Sequence, residues 1–245
     1  MAVPNESSFG GAPWSLDGRI VLVTGAGQGL GRATTLALAG AGATVIATSR
    51  RRRKLERLDD AVKAMGKTIT LLPLDLAEPE QLIPIGPSIY ERFGRLDGLV
   101  HCAGLLGKLT PVAHLDTPTL REVVTVNVLA TQALIATLDP LLQAAPDARA
   151  LFLTDRLAQR GKPFVGAYAA SKQAMEALVL AYAAETRQSR AEVRLVAPPP
   201  LATPLRKAAY PGEAADKQLA PEIAAERLLA LMAASAMPDS EVIDL

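Results

Sequence analysis

Short runs of continuous apolar residues alternate along the chain with longer stretches whose apolar positions recur every three or four residues. The short runs are Ile20–Thr24, Thr44–Thr48, Thr68–Leu72, Gly98–Cys102, Ala150–Thr154, Val193–Ala197 and the brief Val242–Ile243. Most do not alternate with polar residues, as expected of strands covered on both faces. The longer stretches predict helices near 30–40, 51–65, 80–93, 118–143, 165–188 and 221–235. Strand and helix in repeated alternation predict an α/β fold, a single doubly wound parallel sheet with helices on both faces. Pro84, Gly86 and Pro87 interrupt the 80–93 stretch. An interior proline removes a backbone hydrogen bond and clashes with the preceding turn, so this helix is expected to start late or to kink. Residues 1–15, containing Gly, Pro and Ser, read as a flexible leader. No repeat or low-complexity tract marks a second domain, so 16–245 is expected to be one.

Composition narrows the function. Lys and Arg number 26 against 25 Asp and Glu, a net charge of +1, which argues against nucleic-acid partners and against a polybasic membrane anchor. One strongly one-signed run, Arg50-Arg51-Arg52-Arg53-Lys54, needs a local explanation. A single cysteine, Cys102, rules out an internal disulfide framework, and with only His101 and His114 beside it no zinc site is expected. The N-terminus shows no basic start followed by an apolar stretch. The uncharged stretch Val123–Leu138, broken by Asn127 and Gln132, is short for a membrane span. A soluble, cytoplasmic protein is expected.

The first strand runs into Thr24-Gly25-Ala26-Gly27-Gln28-Gly29-Leu30-Gly31-Arg32, and a helical pattern begins there. Glycines permit a tight turn and let phosphate approach the backbone, while the helix N-terminus supplies N–H donors and the positive end of its dipole. A glycine-rich turn alone is weak evidence. At the first strand-to-helix junction of an alternating chain it points to a dinucleotide.

This Thr-Gly-x-x-x-Gly-x-Gly spacing resembles that of the short-chain dehydrogenase/reductase family, and the resemblance continues over about residues 16–235. It includes Asp75 after the third strand, His101-Cys102-Ala103-Gly104 after the fourth, Asn127, Tyr168-Ala-Ala-Ser-Lys172, and Pro198 to Thr203. It implies a Rossmann-type domain with Gly25, Gln28, Gly29, Leu30 and Gly31 at the pyrophosphate. Asp75, with neighbouring Leu76, would hold the adenine, although a strand-end cap is the plainer account of Asp75. Ala103 and Gly104 would line the adenine ribose, and Thr203 the nicotinamide carboxamide. Here Pro198-Pro199-Pro200 replaces the family's Pro-Gly, and Cys102 replaces a common asparagine; the thiol reads as packing rather than as a redox centre. The second strand ends Thr48-Ser49-Arg50-Arg51 with no acid to bind a ribose 2′-hydroxyl. Arg50 and Arg51 therefore favour NADP(H) over NAD(H). Arg52, Arg53 and Lys54 read as the solvated first turn of a helix, with one of them available to assist the phosphate.

Tyr168 and Lys172 are four apart, on one helical face. In the family the tyrosine hydroxyl exchanges a proton with the carbonyl oxygen. The lysine holds the nicotinamide ribose and lowers the tyrosine's pKa, and Asn127 would complete a water relay to that lysine. Bringing a tyrosine from ~10 to about 7 takes about 4 kcal/mol of differential stabilisation of the phenolate. The family also places a serine thirteen residues before the tyrosine, and this chain has Asp155 there. Thr154 cannot share the site without a local twist, because adjacent strand residues face opposite ways. An ionised Asp155 would raise the Tyr168 pKa and oppose an alkoxide, whereas a protonated one could still donate a hydrogen bond. Arg156 pairs with a substrate acid or faces solvent, and the latter reading is preferred.

The resulting expectation is an NADP(H)-dependent oxidoreductase interconverting a carbonyl and an alcohol on a small molecule, weakened by Asp155. A homodimer or homotetramer follows by resemblance, through the apolar helices at 118–143 and 165–188. Residues 204–219, with Tyr210-Pro211-Gly212, read as a mobile substrate lid. Two rivals remain: a nucleotide-binding protein with little or no catalysis, and an S-adenosylmethionine methyltransferase, which should carry an acid at the second strand's end.

Overall fold

The computed structural model describes residues 14–155 and 161–245. Most of the expected leader, through residue 13, and Arg156 lie outside the described residues. Among the described residues there are seven strands: β1 (Ile20–Thr24), β2 (Thr44–Ser49), β3 (Ile69–Pro73), β4 (Gly98–His101), β5 (Ala148–Leu153), β6 (Ala191–Ala197) and β7 (Val242–Asp244). They form one sheet in the order β3-β2-β1-β4-β5-β6-β7. All six pairings are parallel. The chain winds outwards from β1 to β3, then returns to β4 on the other side of β1. Loops at the carboxyl ends of β1 and β4 therefore diverge and leave a crevice there.

The strand pleat divides consecutive apolar residues between two cores. Ile20, Leu22, Leu99, Phe152, Val193 and Leu195 face one side. They pack there against α3 (Ile85–Phe93), α5 (Ala130–Ala144) and α6 (Gly166–Glu185) through Ile89, Leu134, Leu138, Met175 and Val179. Val21, Val23, Val100, Leu151 and Val196 face the other. Against them lie α1 (Gly29–Gly40), α2 (Arg52–Ala64) and α8 (Pro221–Ala233), through Leu38, Leu55, Leu58 and Leu228. This two-sided burial explains why the strands do not alternate with polar residues.

The interrupted stretch behaves as its prolines dictate. Pro79–Leu82 forms a 3₁₀ turn, and α3 begins only at Ile85. The predicted 118–143 helix is instead three pieces in continuous succession: α4 (Thr117–Val124), a π turn at Thr125–Leu129, and α5. Asp116 caps α4, its Oδ1 accepting from the Thr119 amide at 2.7 Å. Residues 117–144 are long and apolar enough, by length and composition, to cross a membrane. The α5 face carrying Ala130, Leu134, Leu138 and Leu141 is nevertheless buried against the sheet, as in a core helix. One helix was not foreseen: α7 (Pro204–Ala209), capped by Thr203, whose Oγ1 accepts from the Arg206 amide at 3.2 Å.

Candidate active site

A cleft of about 480 Å³ opens at the carboxyl ends of β1, β2, β4 and β5. Its floor is the turn between β1 and α1. Gly25 has φ +68°, and a Cβ there would sit 2.9 Å from the Ala103 backbone; at Gly31 it would come within 2.4 Å of the Gly25 carbonyl oxygen. The turn closes this tightly only without side chains, and it brings the start of α1 to the edge of β4. Gln28, the residue before α1, offers no side-chain cap. The first N–H groups of the helix thus remain available to an anion. Gly25, Gln28, Gly29, Leu30 and Gly31 all line the cleft. These are features a pyrophosphate requires.

Beside this turn lies the β2 end. Ser49, Arg50, Arg51 and Lys54 line the cleft, whereas Arg52 pairs with Glu56 at 3.1 Å on the exposed face of α2. Lys54 is the member of the basic run that reaches inward, donating to Gln28 Oε1. Partial burial and the neighbouring Arg51 and Arg57 lower its pKa. Asp75 acts as the strand-end cap and also faces the cleft. Its Oδ1 accepts from the Ala77 amide at 3.0 Å, as a strand-end cap does, and it also lines the cleft with Leu74 and Leu76, its Oδ2 lying 4.0 Å from Arg50 Nε. Ala103 and Gly104 form the adjoining wall, and Thr203 with Pro198–Pro200 forms the far end.

Behind the wall a polar network fixes β4. His101 is buried, with Thr24 Oγ1 2.8 Å from Nδ1 and Thr131 Oγ1 3.1 Å from Nε2. Thr131 donates its own proton to the Asn127 carbonyl, so its oxygen accepts from Nε2–H and Nδ1 accepts from Thr24. Burial, with the Lys172 charge, lowers the imidazole pKa from 6.5 to about 3. The unfolded chain protonates this histidine near pH 6.5 and the folded chain does not. Its contribution to stability is therefore complete above pH 6.5 and is lost as pH falls towards 3. His101→Gln should reduce the loss of unfolding free energy between pH 6.5 and 4 by about 3 kcal/mol, measured by urea denaturation. Cys102 lines the same wall, and burial pushes its thiol up to about 12, as expected of a packing residue.

The reactive end rests on α6. Tyr168 is 2% exposed, and its hydroxyl donates to Asp155 Oδ2 at 3.0 Å. Lys172, also buried, donates from Nζ to the Leu153 carbonyl at 2.8 Å. Asn127, in the π turn, clamps the β4 loop to α6. Its amide donates to the Leu105 carbonyl at 2.9 Å and to Ser171 Oγ at 2.8 Å, while its Oδ1 accepts from the Leu105 amide at 2.7 Å. The side chain thus holds Leu105 and Ser171 together.

Asp155, not a serine, therefore meets Tyr168. Thr154 is buried beside it at the cleft, its hydroxyl donating to Glu176 Oε1. Burial, the Asp155 charge and its hydrogen bond, and the charge of Glu176 raise the Tyr168 pKa well above the ordinary tyrosine value. Burial lowers that of Lys172, against the opposing pull of Asp155 and Glu176. The structure thus moves Tyr168 opposite to the direction the family chemistry requires.

Sequence reasoning missed Arg206. It lines the cleft from α7, pairs bidentately with Glu213 at 2.6 and 2.7 Å, and lies 4.0 Å over the Tyr210 ring. Arg206 thus ties the segment after α7 back onto the helix. Only the fold brings position 206 near 168, and no local pattern signals it.

A profile of the short chain dehydrogenase family matches residues 19–214. The chain is 34% identical over 209 residues to the uncharacterized oxidoreductase YciK of Escherichia coli (strain K12), covering 84% of this chain and 82% of that protein. A short chain dehydrogenase from Escherichia coli CFT073, solved in complex with NADPH, is 32% identical with a TM-score of 0.89, covering 95% of this chain and 98% of that one. A counterpart from Shigella flexneri 2a strain 301, complexed with NADP, is 31% identical with the same TM-score and coverage. The methyltransferase alternative falls with these matches, and the rival of a binder without catalysis gains no support from them. Glycine turn, parallel sheet and the Tyr168–Lys172 face thus agree with the profile along most of the chain: it belongs to the short-chain dehydrogenase/reductase family of oxidoreductases.

Proposed function

We propose that the protein is an NADP(H)-dependent oxidoreductase that interconverts a carbonyl and an alcohol on a small molecule, with Asp155 slowing that reaction. The observation that carries this reading is one continuous cleft, from the phosphate-binding turn at Gly25–Gly31 to the Tyr168 hydroxyl and Lys172. The bound dinucleotide supplies or accepts hydride. Gly25, Gln28, Gly29, Leu30 and Gly31 hold the pyrophosphate, and Leu76 and Asp75 the adenine. Ala103 and Gly104 line the adenine ribose, and Thr203 the carboxamide. Lys172 holds the nicotinamide ribose, with Asn127 keeping the wall against α6. Tyr168 moves the proton at the substrate oxygen. Its hydroxyl proton is shared with Asp155 before substrate arrives, which lowers its readiness to give that proton up.

NADP is favoured because Arg50, Arg51 and Lys54 line the cleft beside β2, a strand whose own end carries no acid. The related structures solved with NADP and NADPH support this preference. Arg50→Ala and Lys54→Ala should each weaken NADPH binding about tenfold, the scale of one charged hydrogen bond, and leave NADH binding unchanged. Fluorescence titration of both nucleotides checks this, and equal losses for the two would remove the phosphate assignment.

We also infer one domain over 16–245, a cytoplasmic location and a homodimer or homotetramer. One sheet between two cores supports the first. Leu120, Leu129 and Leu178, exposed on α4, the π turn and α6, support a partner copy.

A further inference from the structure

Hydrogen bonds run without a gap from the phosphate turn to the backbone of Tyr168. Thr24, the last residue of β1, donates to His101 Nδ1 at 2.8 Å, and His101 Nε2–H donates to Thr131 Oγ1 on α5 at 3.1 Å. Thr131 donates in turn to the Asn127 carbonyl at 2.9 Å. From the same residue, Asn127 Nδ2 donates to Ser171 Oγ at 2.8 Å, and Ser171 Oγ donates to the Tyr168 carbonyl at 2.8 Å. Thr24 also accepts from the Ala103 amide at 3.2 Å, which ties the cleft wall to the start of the chain. Asn127 thus joins two like-directed halves through its own covalent frame. Its place in the π turn is what lets one residue serve both, and such turns recur at functional sites.

We infer that His101, Thr131 and Ser171 are positioning residues for hydride transfer: through Asn127 they hold Tyr168 at a fixed place relative to the turn that carries the dinucleotide. The inference rests on the cofactor site argued above. Thr24, His101, Thr131, Asn127 and Ser171 are each 1% exposed or less, so water cannot stand in for a missing partner. Packing alone does not call for polar groups here, because burying hydroxyls and an imidazole carries a desolvation cost that their mutual bonds only offset. The arrangement instead fixes a distance. The dinucleotide is anchored at Gly25–Gly31 and reacts at the opposite end of the cleft, beside a tyrosine carried by a different helix. Only the protein between them sets how the hydride donor, the substrate carbon and the tyrosine hydroxyl meet, and small misplacements there cost rate steeply.

Thr131→Val, Ser171→Ala and their double variant break the chain, and Thr131→Ser keeps it. Kinetics on a ketone panel, run in the wild-type and Asp155→Ser backgrounds, should show kcat lowered about tenfold in each single variant, with the ketone KM and the NADPH affinity by fluorescence unchanged. Thr131→Ser should recover most of the loss. The double variant should lose about the same tenfold as either single one, because a chain already broken cannot be broken again. A second readout needs no substrate. The chain has only two histidines, so selective ¹⁵N-histidine labelling reports His101 directly. Its Nε2–H should give a slowly exchanging resonance that Ser171→Ala shifts, although Thr131 and Asn127 stand between the two residues. Losses that multiply in the double variant, or a His101 resonance unmoved by Ser171→Ala, would reduce these residues to local packing and overturn the inference. If NADPH binds and every variant turns over as its parent does, the inference likewise falls while the cofactor reading stands. If NADPH does not bind, or no ketone is reduced in either background, the functional reading itself fails and takes the inference with it.

Discussion

Tyr168→Phe should abolish most carbonyl reduction, lowering kcat about 10²–10⁴-fold, while NADPH binds with unchanged affinity and the melting temperature moves by only a few degrees. The tyrosine ring is buried against Val165, Leu106 and Leu109, and phenylalanine keeps that contact and shape. What disappears is one hydroxyl, donating at 3.0 Å to Asp155. Asp155 is only half-buried, so water can replace the lost donor at a cost of about 1 kcal/mol. The Lys172 ammonium retains the Leu153 carbonyl, and the phosphate turn is untouched. A large loss of turnover with a small loss of stability therefore isolates the proton-transferring role. Steady-state kinetics on a ketone panel, with thermal denaturation of both proteins, make the comparison. A variant as fast as wild type would remove Tyr168 from the chemistry.

The fold was legible because its signals were local and repeated. Val21, Leu22 and Val23 announce a doubly covered strand by composition alone, and the strand–helix alternation leaves few ways to order the sheet. Boundaries were less legible. Composition extends the third strand to Thr68, but pairing with β2 begins at Ile69 and runs to Pro73, because register is set by the neighbour. The π turn at Thr125–Leu129 was invisible for a related reason. It serves the clamp from Asn127 to Leu105 and Ser171, and those partners lie 22 and 44 residues away. The site divided in the same way. Gly25–Gly31 and Tyr168–Lys172 are close in sequence and could be read directly. Lys54 could be found only as one of a run, since the choice between it and Arg52 depends on which face of α2 turns to Gln28. Arg206 could not be found at all, because its contacts with Glu213 and Tyr210 are local and only the fold carries that segment to the cleft.

Asp155→Ser should reverse the bias of the reactive end, raising carbonyl reduction ~10²–10³-fold by restoring a donor and removing a charge. Asp155 acts on Tyr168 in two ways that add. Its charge disfavours a neighbouring phenolate, and its acceptor oxygen stabilises the protonated hydroxyl, so both hold the tyrosine pKa above the ordinary value. Serine contributes neither effect, and its hydroxyl can donate to a substrate oxygen or to a phenolate. The consequence differs by reaction direction. Alcohol oxidation needs Tyr168 deprotonated as a base, so its rate rises with pH through the tyrosine's apparent pKa. In the wild type that rise should begin above the ordinary tyrosine range, and in Asp155→Ser it should shift to lower pH, because less energy opposes the phenolate. Burial and Glu176 still raise the pKa in the variant, so the shift is partial, and the position of the limb measures the loss of the carboxylate together with the serine's new donor. A pH–rate profile of alcohol oxidation for both proteins gives that combined effect. Unchanged limbs would mean that Asp155 does not govern Tyr168, and faster ketone reduction in the variant would then have to come from the new donor alone.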